Sequence, residues 1–96
     1  MPHSNSSQLS TLKKGQKAQI TQISESNLNG ESLLPEGELE RRLLEMGFSE
    51  GSQVTLMHEG PFGKDPIVVL LGSSHSVALR KKEAAAILVH LIPEAV

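Results

Sequence analysis

The stretch Glu38-Leu39-Glu40-Arg41-Arg42-Leu43-Leu44-Glu45-Met46-Gly47-Phe48, followed by Gly51, Val54 and Leu56, constrains the fold more than any other part of the chain. Leu39, Leu43 and Met46 recur at i, i+4 and i+7, one apolar stripe at helical period with Leu44 on its flank. Glu36, Glu38 and Glu40 crowd the first turn, where the positive end of the helix dipole favours them. Gly47 stands where a left-handed cap would end the helix, since glycine takes positive φ without strain. A helix of about three turns is too short to be stable alone and must pack on the rest of the chain.

The flanking sequence reads as short strands. Leu9 and Leu12 anchor a first turn, and Lys13 to Gln16 form another. Lys17 to Ile23 is a strand with Ala18 and Ile20 on one face; Ile23 breaks the parity, so a bulge or strand end is expected there. Ser24 to Gly37, with Asn27, Asn29, Gly30 and Pro35, is a long loop. After a turn at Phe48 to Gly51, Ser52 to Glu59 is a strand with Val54, Leu56 and His58 on one face and Thr55, Met57 and Glu59 on the other. Gly60 to Pro66 is a hairpin loop, and Ile67 to Leu71 an apolar strand covered on both faces. Gly72 to Ser76 turns the chain into a strand at Val77 to Arg80. A helical turn over Lys81 to Ala85 then precedes a last apolar strand, Ala86 to Leu91. The expected fold is mainly β: a small SH3-like barrel of about five strands, with one inserted α-helix and a short helical turn before the last strand. Ninety-six residues suit one domain, set at residues 9–92, with the polar residues 1–8 as a disordered tail.

Composition narrows the function. With no cysteine, disulfides and Cys-ligated zinc or iron–sulfur centres are excluded. The first eight residues lack the cationic start and apolar run of a secretory signal, and no stretch approaches the ~20 apolar residues of a membrane span, so a cytoplasmic location is expected. A net charge of −2 gives no general pull toward nucleic acid, and two phenylalanines without Trp or Tyr make no base-stacking platform, so nucleic acid is not expected as a partner. Charge is uneven all the same: seven glutamates lie between Glu25 and Glu50, while basic residues gather at Lys13-Lys14-Lys17 and Arg80-Lys81-Lys82.

Four segments in series carry a family resemblance. Leu9-x-x-Leu12-x-x-Gly15-x-x-Ala18-x-Ile20 resembles the opening of the FeoA family, small proteins of bacterial ferrous iron transport. Arg42-Leu43-x-x-Met46-Gly47-Phe48-x-x-Gly51-x-x-Val54-x-Leu56 is similar to that family's most recognisable segment. Pro61-Phe62-Gly63 with Asp65-Pro66-Ile67 resembles its central hairpin, and Val77-Ala78-Leu79-Arg80 with Glu83-Ala84 resembles its ending. Three loops depart from the pattern: Ser24 to Gly37 is longer than the compact form, Lys64 adds a residue to the hairpin, and Gly72 to Ser76 is about two residues longer than the usual glycine turn. The resemblance implies an accessory protein that binds the cytosolic part of a membrane ferrous iron transporter, a FeoB-like GTPase permease, and modulates it, reaching the membrane only through that partner. The same domain also forms the C-terminal module of metal-dependent transcriptional repressors. The alternative is therefore a metal-responsive regulatory module acting on a transcription factor; with no helix-turn-helix of its own, the chain could not bind an operator alone.

No enzyme chemistry is legible. There is no Ser, His and Asp arrangement within a motif, and Gly60 to Lys64 lacks the phosphate-binding loop pattern. Asp65, beside Pro66, reads as a turn former. The histidines at 3, 58, 75 and 90 never stand at i, i+2 or i, i+4. The resemblance implies transition-metal binding; Fe2+ prefers imidazole and carboxylate together, which makes His58 with Glu59, or His75 across a hairpin, the candidate ligands. Adjacent strand residues face opposite ways, so His58 and Glu59 would need a bulge to chelate. Candidates for partner contact are Phe62 at the hairpin tip, which either folds back onto the barrel or is presented to a partner, the run Arg80, Lys81 and Lys82, and Arg41 on the outer side of the helix among Glu38 and Glu45. The apolar last strand, Ala86 to Leu91, is a candidate for pairing with a second copy in a domain-swapped or edge-paired homodimer.

Overall fold

The computed structural model describes residues 6–24 and 37–93. Six strands alternate with three short helical elements: β1 (Ser6–Gln8), a 3₁₀ turn (Leu9–Thr11), β2 (Lys17–Ile23), α1 (Glu38–Glu45), β3 (Gln53–Glu59), β4 (Ile67–Leu71), β5 (His75–Leu79), α2 (Lys81–Ala84) and β6 (Ile87–Ile92). All pairings are antiparallel, in the order β1-β6-β2-β3-β4-β5, and the sheet wraps one apolar core. None of the described helices is long and apolar enough to cross a membrane.

The helix forms and stops as its residues dictate. Leu39 and Leu43 are buried, Met46 packs partly against the core, and Leu44 stands 55% exposed. At the C-terminal end, Gly47 N–H donates to the Leu44 carbonyl and Phe48 N–H to the Leu43 carbonyl, both at 3.0 Å. This paired closure requires a left-handed residue between them, and Gly47 supplies it with φ +107°. The turn throws Phe48 inward, where it is the largest fully buried side chain.

Two bulges set which residues face the core. Ile20 lies opposite Val89 and Gln22 opposite Leu88, so Thr21 is the extra residue in β2; its hydroxyl donates to the Leu88 carbonyl at 3.2 Å. The bulge resets the parity and brings Ile23 opposite the buried Ile87, as the broken alternation in the sequence requires. In β3, Leu56 lies opposite Val69 but His58 opposite Val68, so Met57 is the extra residue. His58 therefore does not share the face of Val54 and Leu56, as strict alternation would have it, and both His58 and Glu59 are exposed.

Other departures have equally local causes. Ser6 to Gln8 form β1 against Leu88 to His90 of β6 rather than a tail, which makes six strands instead of five. Residues 1–5 of the expected tail lie outside the described residues, as do residues 25–36 of the expected long loop. The turn after β4 spans only residues 72–74, so β5 begins at His75 rather than Val77. Because β6 has β1 on one side and β2 on the other, it offers no free edge for an edge-paired homodimer.

Replacing Gly47 by alanine puts a Cβ at positive φ, 3.3 Å from Leu71 Cδ1. The expected cost is about 1–3 kcal/mol, and Phe48→Ala is expected to cost about 3–5 kcal/mol through the void it leaves. Urea denaturation followed by circular dichroism measures both.

Candidate partner-docking site

The β3–β4 loop is drawn tight by its own backbone. Gly60 N–H donates to the Pro66 carbonyl at 2.8 Å, and Phe62 N–H to the Asp65 carbonyl at 3.3 Å. The Asp65 carbonyl passes so close to Gly60 that a Cβ there would stand 2.5 Å from its oxygen, and only glycine fits. Gly63 and Lys64 both take positive φ, at +66° and +69°, which turns the chain at the tip. Phe62 is held there 81% exposed, in contrast to the buried Phe48.

The loop is braced from below by α2. The Asp65 carboxylate accepts the Lys81 N–H at 2.9 Å, satisfying one of the free amides that open the short helix. Glu83 reaches back to accept the Arg80 N–H at 2.9 Å, the reciprocal half of a capping box, and its second oxygen lies 3.9 Å from Arg42 of α1. Hairpin, α2 and α1 are thus tied through two carboxylates. Between the hairpin and α2 lies an open groove lined by Phe62, Asp65, Pro66, Ala78, Leu79, Arg80 and Glu83.

The structure brings together some expected residues and separates others. Phe62 and Arg80 share the groove, with Lys81 and Lys82 on the helical turn beyond it. Arg41 is engaged elsewhere: its guanidinium pairs with Glu38 one turn back and with Glu45 at 3.1 Å, and these carboxylates, Glu38 foremost, raise its pKa further. The candidate metal ligands do not converge. His58 lies opposite Val68 and Glu59 opposite Ile67, on opposite faces of the β3–β4 pair. His75 sits at the other end of β4, opposite Leu71, with its Nε2 3.7 Å from where a Cβ on Gly47 would stand. Among the described residues no three His, Asp or Glu side chains are grouped to hold a metal. The bracing by Asp65 joins residues 16 positions apart and leaves no mark in the sequence; the Glu83 contact to the Arg80 N–H is local, but with the donor-only Arg80 at the N-cap position it lacks the Ser or Thr that would signal a capping box.

The family model for the FeoA domain matches residues 7–91. The chain belongs to the FeoA family. Membership places it in ferrous iron transport. A FeoA-like protein from Clostridium acetobutylicum shares 27% identity with a TM-score of 0.75, covering 97% of this chain and 94% of that one. A Stenotrophomonas maltophilia FeoA, solved in complex with zinc and described as an SH3 domain protein, shares 29% identity with a TM-score of 0.68, covering 86% and 88%. The fold also matches a manganese-dependent transcriptional repressor, at 22% identity and a TM-score of 0.75, covering 96% of this chain but 45% of the repressor. Comparison with curated proteins gives no sequence match.

Asp65→Ala is expected to lower stability by about 1 kcal/mol, by stranding the Lys81 amide. Asp65→Asn, which keeps an acceptor, should recover most of the loss. Urea midpoints and the exchange rate of the Lys81 amide proton test the pair.

Proposed function

We propose that this FeoA-family protein is a cytoplasmic accessory of ferrous iron uptake that docks on the cytosolic part of a FeoB-like permease and modulates its activity. The observation that carries this reading is Phe62, a large aromatic held out in solvent by a loop whose backbone and bracing carboxylate fix its position. Burying such a side chain against a partner gains apolar contact with little ordering cost, because the loop is already set. In this reading the protein acts by contact, through Phe62 and the groove beside it. Ferrous iron enters as the cargo of the permease. Arg80, Lys81 and Lys82 extend the docking surface with positive charge, while Arg41 marks a separate face on α1.

A pull-down from native membranes and cytosol, with wild type beside Phe62→Ala, tests the reading. Recovery of the permease, reduced about tenfold by the substitution, is the expected outcome. Failure to recover a permease, together with unchanged iron uptake on deletion, would sink it, and recovery of a DNA-binding regulator would favour the repressor-module alternative. Arg41→Ala should leave the melting temperature unchanged, because both its ion pairs are solvent-exposed. Loss of permease capture in that variant would move the interface to α1.

A further inference from the structure

β5 is the last strand of the sheet, and the direction of its backbone groups follows from its neighbours. Gly72 N–H donates to the Gln53 carbonyl at 2.8 Å, and the Pro66 carbonyl accepts the Gly60 N–H at 2.8 Å, so both ends of β4 turn these residues toward β3. Groups alternate along an antiparallel strand, so Ile67, Val69 and Leu71 between them turn theirs toward β5. The residues they meet are Leu79, Val77 and His75. Ser76 and Ala78 therefore point their N–H and C=O groups away from the sheet. Both are exposed, and neither hydrogen-bonds to any described residue outside β4.

Proteins blunt such edges by shortness, charge, proline or bulges, since open backbone groups recruit other strands. The opposite edge obeys the rule, because β1 is only three residues long. β5 does not: His75-Ser76-Val77-Ala78-Leu79 contains no Lys, Arg, Asp, Glu or Pro, and its register against β4 runs without a shift. Its open groups are also complementary to themselves. A two-fold axis through Val77 sets Ser76 opposite Ala78 of a second copy and Ala78 opposite its Ser76, each pair exchanging both N–H···O bonds. Sliding the register either way spoils this. One slide brings in Ser74, whose N–H is held by the Leu71 carbonyl; the other brings in Arg80, whose N–H goes to Glu83 and whose carbonyl accepts Glu83 and Ala84.

Side chains suit the same register. Ser76 and Ala78 are small and uncharged, so nothing bulky holds the two backbones apart. Val77 is only partly buried in one chain, and on the axis it meets Val77 of the second copy in the closer, non-hydrogen-bonded pairing. Arg80, Lys81 and Lys82 fall opposite Ser74, Ser73 and Gly72, so no charge faces its like, and a net charge of −2 adds little repulsion. We propose that this chain forms a two-fold homodimer by antiparallel pairing of β5 with β5 of a second copy, centred on Val77. The sheet then runs unbroken through both chains. Ala78 and Arg80 also line the groove beside Phe62, so Ser76 and Ser74 of the second copy would run along its rim. The inference stands apart from the docking reading and goes beyond it.

The test is sedimentation velocity of the full-length protein from low micromolar to millimolar concentration, with amide hydrogen exchange followed by NMR over the same range. A shift from monomer to dimer is expected, and exchange at Ser76 and Ala78 should slow as the dimer fills. Ser76→Lys combined with Ala78→Lys sets lysine opposite lysine in this register and should weaken the dimer about tenfold. Ser76→Glu combined with Ala78→Lys sets each new carboxylate opposite a new ammonium and should restore it. A monomer at every concentration, a dimer whose β5 amides exchange as in the monomer, or a dimer indifferent to the paired lysines would each overturn the proposal. So would protection of the Ser76 and Ala78 amides in the dilute monomer, since a segment of the same chain would then cover the edge. The wild-type measurements need no variant, so misfolding of either double variant leaves the decision intact.

Discussion

Everything in this domain turns on the reversal at Met46-Gly47-Phe48. A helix and a strand can share one small core only if the chain leaves the helix sharply and buries a large side chain as it goes. The glycine takes the left-handed conformation, two amides close on the carbonyls of Leu43 and Leu44, and Phe48 drops into the space between helix and sheet. Leu71 of β4 lies against the same glycine, so the cap also sets how closely the helix end approaches the sheet. With Leu39 and Leu43 entering from α1 and Val54 and Leu56 from β3, both sides of the reversal feed one core.

The periodic parts of this arrangement are legible in the sequence because burial writes periodicity. The stripe on α1, the alternation in β2 and the uninterrupted apolar run of β4 each predict their element closely. Phe48 reads as a turn residue because its burial comes from cap geometry rather than from a repeat; the apolar contact that accompanies such caps is the signal that points to it. β1 escapes because Ser6, Ser7 and Gln8 contribute backbone pairing and little apolar burial, and nothing in their side chains requires a strand. The bulge at Thr21 is signalled by an apolar residue out of phase. The one at Met57 is not, since Met57, His58 and Glu59 are all exposed and carry no apolar phase beyond Leu56 to break.

The site divides along the same line. An aromatic between Pro61 and Gly63 is visible as a candidate, but its fate depends on whether the loop folds back, and that is decided by contacts distant in sequence. The Asp65 carboxylate on the Lys81 amide and the close pass of the Asp65 carbonyl over Gly60 hold the loop in the form that leaves Phe62 outside. Metal chemistry goes the other way. Residues that look near in sequence, His58 and Glu59, point apart, and His75 stands at the far end of the sheet. Imidazole and carboxylate are present, but among the described residues the backbone does not gather three of them.

The place of β6 carries a kinetic consequence. β3, β4 and β5 form a meander whose contacts are local, and it can assemble as soon as those residues exist. β6 is laid down after every strand it joins, yet it lies between β1 and β2 and holds both. During synthesis the early strands must wait, unpaired on that side, until nearly all of the domain has left the ribosome. The soft, polar character of β1 suits that interval: a strand of Ser6, Ser7 and Gln8 offers a waiting chain little to aggregate with, and pays for that safety only in a shorter ladder.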